Sequence, residues 1–312
     1  MSRRLEINEV APRDGLQMER NFVPTESKIA FIDALSACGF ARIEVTSYTS
    51  PKAIPTLADA EAVMAGIRRA PGVKYTALVP NLRGMERAVA GRPDEINLVM
   101  SASETHNRAN LRMTRAQSLV TLQEVMRAAS SVGLPCNVSL STAFGCPFDG
   151  EVDAGEVIAL ARSLADAGAA GITACDTTGM AYPTQVASLC EQLQRAVPGM
   201  PLTIHLHNTR GMGLANALAA FDTGIDRFDG AAGGLGGCPY APGASGNVSS
   251  EELVHMFAAM GQDTGVELDA LLALVGSMSG LVGRPVSSQL AQAGPRLRRF
   301  APPGWLAEQF QQ

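Results

Sequence analysis

The chain has 312 residues, of which 46% are hydrophobic and 18% charged, enough for one large core and ordinary for a single α/β barrel. Its formal net charge of −5 argues against a basic surface of the kind that binds nucleic acid or an anionic membrane. No apolar run approaches the roughly 20 residues that a membrane span needs.

Short apolar runs alternate with helical patterns along the whole chain. The predicted strands span residues 6–10, 42–46, 74–79, 95–100, 136–141, 171–175, 202–207 and 227–231. Amphipathic patterns predict helices at 26–38, 57–69, 83–90, 114–132, 153–167, 183–197 and 211–222, followed by 249–260 and 268–282. Strand–helix–strand units at this spacing favour parallel pairing with right-handed crossovers.

Eight such units predict a (β/α)8 TIM barrel with appended C-terminal helices. The alternative is an open doubly wound sheet, which usually has fewer strands and a glycine-rich phosphate turn after its first strand. This chain instead reads Ala-Pro-Arg-Asp-Gly at that point. We therefore expect one TIM-barrel domain over residues 1–312, with the barrel over about 5–260 and helices and a tail over about 261–312.

The N-terminus and the cysteines bear on where the protein resides. The first residues lead directly into a predicted strand, so we expect no leader peptide. The six cysteines include no Cys-x-x-Cys pair, and we expect reduced thiols in a cytoplasmic protein. Cys146 and Cys238 differ from the other four because they lie in loops that contain glycine and proline.

The seventh predicted strand carries His205 and His207, two of the four histidines in the chain. Residues at i and i+2 of a strand share one face, so the two imidazoles project side by side. This arrangement is half of a metal site, although a buried structural pair or a structural zinc site has the same pattern. About thirty residues later, Cys238 follows a glycine-rich run that can let a thiol move over a site, or that forms only a turn.

Polar residues crowd the predicted C-terminal strand ends, where barrel enzymes carry their chemistry. Each residue alone is weak evidence for a catalytic role, because an acid at a strand end is about as often a helix cap as a catalyst. Besides the two histidines they include Arg13 and Asp14 after the first strand, Glu44 and Thr46 at the second, Asp176 after the sixth, Asn208 after the seventh, and Cys238 and Asn247 after the eighth.

Four of these residues form a candidate metal site, namely Asp14, His205, His207 and Asn247. A set of oxygen and nitrogen ligands without thiolate favours Mg²⁺ or Mn²⁺ with open positions over a closed zinc site. Arg13 supplies a fixed cation that can stabilise a developing enolate oxygen. Glu44 can orient Arg13, and Asp176 can hold either a metal-bound water or Arg13.

Three stretches resemble the 3-hydroxy-3-methylglutaryl-CoA lyase family of metallolyase barrels. They are residues 8–17 (NEVAPRDGLQ), 43–51 (IEVTSYTSP) and 234–247 (GLGGCPYAPGASGN), and the similarity runs over roughly residues 5–295. The cysteine loop is the most specific of the three. By this resemblance the family's catalytic and metal positions fall on Arg13, Asp14, Glu44, His205, His207, Cys238 and Asn247.

The resemblance implies a retro-Claisen cleavage of a 3-hydroxyacyl-CoA thioester to acetyl-CoA and a keto acid, acetoacetate in the parent case. Cys238 is the acid/base candidate, and His205 is the other. We expect the substrate to contact Arg13, Gln17, Thr46, Asn208 and Arg210. The family also implies a homodimer, while the net charge and the lack of a long apolar run predict no nucleic-acid or membrane partner.

The segment after the histidines departs from the family pattern His-x-His-Asp-Thr-Tyr-Gly. Here Asn208 replaces a carboxylate and Arg210 adds a cation. These changes favour a substrate acid that is larger or carries another carboxylate, so citramalyl-CoA and an isoprenyl-extended glutaryl-CoA are alternatives.

Two other classes of function compete. A Claisen-condensing enzyme of the isopropylmalate synthase type uses the same barrel but usually has a long C-terminal regulatory extension, whereas this chain has the cysteine loop of the lyases. A metal-binding barrel without catalysis would give Cys238 no role.

Overall fold

The computed structural model describes residues 4–237 and 246–303. Its strands β1 to β8 are Glu6–Glu9, Arg42–Ser47, Lys74–Leu78, Glu95–Ser101, Cys136–Ser141, Gly171–Asp176, Leu202–Leu206 and Arg227–Gly230. Each strand pairs in parallel with the next, and β1 pairs with β8, so the sheet closes into a barrel. The predicted (β/α)8 barrel is confirmed, and all eight predicted strands are observed at their expected places.

Helices connect the strands and continue beyond the barrel. Helices α1 to α8 are Thr25–Ala37, Ala60–Gly66, Leu82–Gly91, Glu104–Leu111, Arg115–Ser131, Ala154–Asp166, Pro183–Ala196 and Gly213–Asp222. Helices α9 to α11 are Ser250–Ala259, Leu268–Val282 and Gln289–Ala293. The α10 helix packs against α1 and α9, which confirms the expected appended C-terminal helices. That the whole chain forms one domain stays a prediction.

None of the helices in the described parts of the chain is both long enough and apolar enough to cross a bilayer.

The sequence did not predict α4, because its eight residues carry no apolar stripe. Local capping starts and ends it instead. The Ser103 side chain accepts a hydrogen bond from the backbone N–H of His106 at 3.0 Å, and Arg112 closes the helix in the left-handed region at φ 57°. This short helix brings new residues to the mouth of the barrel.

The interior of the barrel below its C-terminal end is polar rather than filled with branched apolar side chains. Asn97 Nδ2 donates to Glu44 Oε1 at 3.0 Å, and Asn137 Nδ2 donates to Asn97 Oδ1 at 3.0 Å and to Thr173 Oγ1 at 2.9 Å. Alternation along the strands sends the apolar residues outward, where they form the fully buried core between sheet and helices. The hydrogen-bonded interior supports the residues at the barrel mouth from below.

Candidate active site

A cavity of about 480 Å³ opens at the C-terminal ends of the strands, within the size range of small-molecule sites. Part of its lining is polar and includes Arg13, Asp14, Gln17, His205 and His207. Another part is apolar and includes Met18, Ile54, Leu78, Val99 and Leu111. The cavity therefore suits a ligand with both a charged end and an apolar body.

Arg13 and Asp14 reach the cavity from a five-residue π-helical turn, Ala11–Gly15, that follows β1 directly. Arg13 Nε donates to Glu44 Oε2 at 2.5 Å, and Arg13 Nη1 donates to Asp14 Oδ1 at 2.6 Å. Burial alone would lower the pKa of Arg13, but Glu44 and Asp14 raise it, so the guanidinium keeps its charge. Two carboxylates thus fix a buried cation while leaving its other N–H groups for a ligand.

The four predicted metal residues lie together. Ligand atoms of Asp14, His205 and His207 are all within 4.8 Å of one another, and the two histidine Nε2 atoms are 3.2 Å apart. Asn247 Nδ2 donates to Asp14 Oδ2 at 2.7 Å and to the Leu235 carbonyl at 2.9 Å. A backbone bridge between His207 and Asn247 aligns the segment after β8 with the end of β7.

Asp14 and His207 are in the forms that bind a cation. The pKa of His205 is instead raised, because burial lowers it by less than the hydrogen bond and charge of Asp229 raise it. Burial would raise the pKa of Asp14, but Arg13, both histidines and the Asn247 hydrogen bond bring it to about 2. Burial and the neighbouring His205 lower the pKa of His207 to about 3. An ionised carboxylate, an imidazole that stays neutral at physiological pH and an amide group suit a divalent cation bound through oxygen and nitrogen.

Gly236 is the backbone position that allows Asn247 to approach Asp14. Its φ is +106°, and a Cβ atom there would lie 2.4 Å from Asn247 Nδ2 and 3.2 Å from Asp14 Oδ2. Only glycine accepts both this conformation and this closeness. Part of the glycine-rich run is therefore a structural requirement of the metal cluster.

Asp229 on β8 belongs to the site although its sequence context did not single it out. It lines the cavity, and its Oδ2 atom lies 3.1 Å from His205 Nδ1. Its other oxygen accepts a hydrogen bond from Asn8 Nδ2 at 2.9 Å. Strand alternation could have identified Asp229. Phe228 packs outward against Phe257, so the next residue, Asp229, points into the barrel.

The α4 helix adds His106, Asn110 and Leu111 to the cavity lining. His106 Nδ1 lies 2.7 Å from Ser101 Oγ, and burial lowers the pKa of the ring. None of these three residues was predicted, because α4 itself was missed. Helical spacing of four residues places His106 and Asn110 on one face, the only signal that the sequence contained.

The structure brings Gln17 to the cavity but not every other residue expected to contact substrate. Thr46 is fully buried and does not line the cavity, since a register shift between Glu44 and Thr46 sets it opposite Ala77. Cys238 lies outside the described residues.

The two residues that depart from the family pattern have local structural roles. Asn208 Oδ1 accepts a hydrogen bond from Gly213 N at 3.0 Å, at the start of α8. Arg210 Nη1 donates to the carbonyl oxygens of Gly179 at 2.6 Å and Thr178 at 3.2 Å. Neither residue is part of the cavity lining.

Asp176 is buried beside the site and does not line the cavity either. Its Oδ1 atom accepts a hydrogen bond from Met180 N at 2.7 Å, which closes the turn after β6. Burial raises the pKa of Asp176 to about 6, with the backbone amides of Met180 and Ala181 acting in the opposite direction. Through these contacts Asp176 stabilises the turn at the end of β6.

Comparisons with known proteins agree with this geometry. The HMGL-like family model matches residues 4–276. The chain is 44% identical over 290 residues to a hydroxymethylglutaryl-CoA lyase of Bacillus subtilis, covering 93% of this chain and 97% of the relative. It is 42% identical over 299 residues to an (R)-citramalyl-CoA lyase of Chloroflexus aurantiacus, covering 93% and 94%.

The solved structures include an HMG-CoA lyase from Acinetobacter baumannii in complex with coenzyme A and 3-methylmalate. It superposes with a TM-score of 0.93 at 47% identity, covering 96% of this chain and 98% of that one. The chain therefore belongs to the HMGL-like family and is a carbon–carbon lyase.

Proposed function

We propose that the protein cleaves 3-hydroxy-3-methylglutaryl-CoA to acetyl-CoA and acetoacetate, with Mg²⁺ or Mn²⁺ as its cofactor. The observation that carries this proposal is the guanidinium of Arg13 held beside Asp14, His205 and His207 in one cavity. A fixed cation next to a metal-binding cluster is what a reaction through an enolate needs, because both charges stabilise developing negative oxygen.

Asp14, His205, His207 and Asn247 would hold the ion. When bound, a divalent cation supplies Lewis-acid chemistry, polarising the substrate hydroxyl and lowering its pKa. The donor set and the glycine contact at position 236 fit such a group.

Arg13 has the clearest role among the side chains. It would donate hydrogen bonds to the thioester oxygen, which becomes the enolate oxygen when the bond between C2 and C3 breaks. Because Glu44 and Asp14 already hold the guanidinium, little orientational freedom is lost when substrate binds. Gln17 lies in the same lining and is placed to contact the acyl group.

The reaction needs a base for the hydroxyl proton and an acid for the enolate carbon. The base removes the proton, the hydroxyl carbon becomes the ketone of acetoacetate, and the electron pair of the broken bond passes to the acetyl-CoA enolate. Protonation at carbon completes acetyl-CoA. We assign this acid/base work to Cys238, with His205 as the alternative.

An assay of purified protein with 3-hydroxy-3-methylglutaryl-CoA and Mn²⁺ tests the proposal. We expect equal amounts of acetyl-CoA and acetoacetate, loss of turnover on adding EDTA, and recovery on adding excess Mn²⁺. Arg13→Lys keeps a positive charge but loses the planar fork, and we expect at least about 100-fold slower turnover. Metal-independent turnover, or no acetyl-CoA at all, would contradict the proposal.

Citramalyl-CoA is the second candidate substrate, and two observations favour it. One relative is named a citramalyl-CoA lyase, and a structure at 47% identity holds the five-carbon diacid 3-methylmalate. Citramalyl-CoA lacks one methylene between its hydroxyl carbon and its carboxylate, and its cleavage yields pyruvate instead of acetoacetate. Comparing kcat/KM for the two thioesters, with an isoprenyl-extended glutaryl-CoA as a third, decides between them.

We also propose a homodimer, on the family resemblance, because dimers are common among lyases of this type. Light scattering during gel filtration would then give twice the chain mass of 32.6 kDa. The cytoplasmic location expected from the sequence stays a prediction.

A further inference from the structure

Glu9 is a buried carboxyl that lies outside the cavity yet contacts the segments from which the metal cluster is built. It is the last residue of β1 and is fully buried. Asn8 before it turns into the barrel toward Asp229, so alternation turns Glu9 outward, between β1 and α9. It therefore cannot touch a ligand in the cavity.

Three hydrogen bonds join Glu9 to three separate segments. Its Oε1 atom accepts from Ala11 N at 2.7 Å and from Ala232 N at 3.0 Å. Its Oε2 atom lies 2.7 Å from Ser250 Oγ, which is the donor when the carboxyl is ionised. All three contacts are buried.

Each of these partners begins or adjoins a segment of the site. Ala11 opens the turn that carries Arg13 and Asp14. Ala232 opens the short 3₁₀ turn Ala232–Gly234 that leads into the glycine-rich run. Ser250 is the first residue of α9 and follows Asn247 closely in the chain.

We propose that Glu9 is a positioning residue that sets the distance between Asp14 and Asn247 by bridging their two supporting turns from behind the barrel. This inference rests on the proposed metal site. The two turns follow the first and the last strand of the barrel, and Glu9 ties both to β1, the strand that closes the barrel against β8. Fixing the backbone behind a ligand keeps the ligand atoms at their binding distances.

The bridge does not require a negative charge. Burial raises the pKa of Glu9 to about 8, against the lowering effect of its three hydrogen bonds, so the neutral acid is a natural form near neutral pH. In that form Oε1 still accepts from both amides, and Oε2–H donates to the Ser250 hydroxyl. Glutamine has the same shape and can make the same three bonds through its amide oxygen and nitrogen.

Titration of the protein with Mn²⁺ in a calorimeter tests this role without any turnover. We expect Glu9→Ala to weaken Mn²⁺ binding by at least about 10-fold, the usual scale for support of a metal ligand. We expect Glu9→Gln to bind within about threefold of wild type, because it restores the bridge. If Glu9→Ala does not fold, Ser250→Ala removes one of the three contacts and is expected to weaken binding by about threefold.

Tyr75→Phe is the matched control. The Tyr75 hydroxyl is buried, donates to Ser36 Oγ at 2.9 Å and accepts from Ala70 N at 2.8 Å, away from the cavity. It should lower the melting temperature but leave Mn²⁺ affinity unchanged. Equal losses of affinity in Tyr75→Phe and Glu9→Ala, wild-type affinity in folded Glu9→Ala, or failure of Glu9→Gln to restore binding would each overturn the proposal. A wild-type protein that does not bind Mn²⁺ would instead contradict the proposed function.

Discussion

The carboxylate of Asp229 fixes the orientation of His205, with Oδ2 of the aspartate 3.1 Å from Nδ1 of the ring. The contact follows from strand register, because His205 on β7 and Asp229 on β8 are directly paired. A neutral ring with its proton on Nδ1, directed at the carboxylate, would present the lone pair of Nε2 to the ion; this Nε2 lies 3.2 Å from His207 Nε2. Asn8 holds the second oxygen of the carboxylate at 2.9 Å.

Asp229→Asn should weaken Mn²⁺ binding by about 10- to 100-fold. Asn8 donates to one side-chain oxygen at this position, so the new amide would keep its oxygen there and turn its NH₂ toward His205. The ring would then accept at Nδ1 and carry its proton on Nε2, where the ion needs a lone pair. Calorimetric titration measures the effect, with the exposed residue Asp269, changed to Asn, as control. Unchanged affinity in Asp229→Asn would show that the tautomer does not depend on this carboxylate.

Gly236→Ala should displace Asn247 and lower Mn²⁺ affinity, because its Cβ would meet Asn247 Nδ2 at 2.4 Å in a backbone conformation with φ +106°. We expect a loss of at least about 10-fold, together with a lower melting temperature. The adjacent Gly237→Ala is a close control, since a Cβ there has no neighbour within 4 Å among the described residues. Similar affinities for the two variants would contradict a tight fit around Asn247.

Cys238→Ser should leave Mn²⁺ binding intact but reduce kcat by at least about 100-fold, the usual scale for a general acid or base. Serine is nearly isosteric but a much weaker acid than a thiol. Cys146, the other loop cysteine, accepts hydrogen bonds from Phe148 N and Asp149 N, so Cys146→Ala should mainly lower the melting temperature. A wild-type rate in Cys238→Ser would move the acid/base role to another group, with His205 the first to examine.

The stability of the metal-free protein should fall as pH rises from about 5 to about 8, by more than about 1 kcal/mol. Burial raises the pKa of Glu9 to about 8 and that of Glu251 to about 7, from ordinary values of 4.5. The folded protein therefore holds protons that the unfolded chain has released. The stabilisation is complete below the unfolded pKa and is lost as pH rises through the folded values.

Urea unfolding in EDTA at several pH values measures this slope. Glu9→Gln should flatten it, because one of the two groups no longer titrates and the remaining carboxyl loses a like-charged neighbour. Parallel curves for wild type and Glu9→Gln would show that Glu9 does not titrate in this range.

Most of the fold was predictable because every strand and most of the helices carried their own periodic signal, α4 being an exception. The four metal residues and Arg13 were predictable for a related reason: parallel strands bring their C-terminal ends to one rim. His205 and His207 share a strand face by spacing alone. Asn247 was harder, since it lies far from Asp14 in the chain and comes together with it only through Gly236.

Periodicity does not predict strand register, helix capping or local hydrogen bonds. The residues that were not predicted, and the predicted ones that lie apart from the cavity, owe their positions to these details. Thr46 lies apart because a register shift separates it from Glu44. Asn208 accepts a hydrogen bond at the start of α8, and Arg210 donates hydrogen bonds to two backbone carbonyl groups. Glu9 was not predicted because it faces away from the barrel interior, and a strand-end acid that faces outward has no pattern that marks it as part of a site.

The amide-lined interior of the barrel limits which amino-acid substitutions this protein can accept. Asn97 accepts from Asn137 and Ser139 and donates to Glu44, whose other oxygen holds Arg13. Replacing any one of them by an apolar residue would leave its neighbours without a hydrogen-bond partner. Each buried polar group left in this way lowers the folding stability by about 1–3 kcal/mol. Substitutions in this network would therefore have to occur together. Selection for stability and selection for the position of the Arg13 guanidinium act on the same few residues.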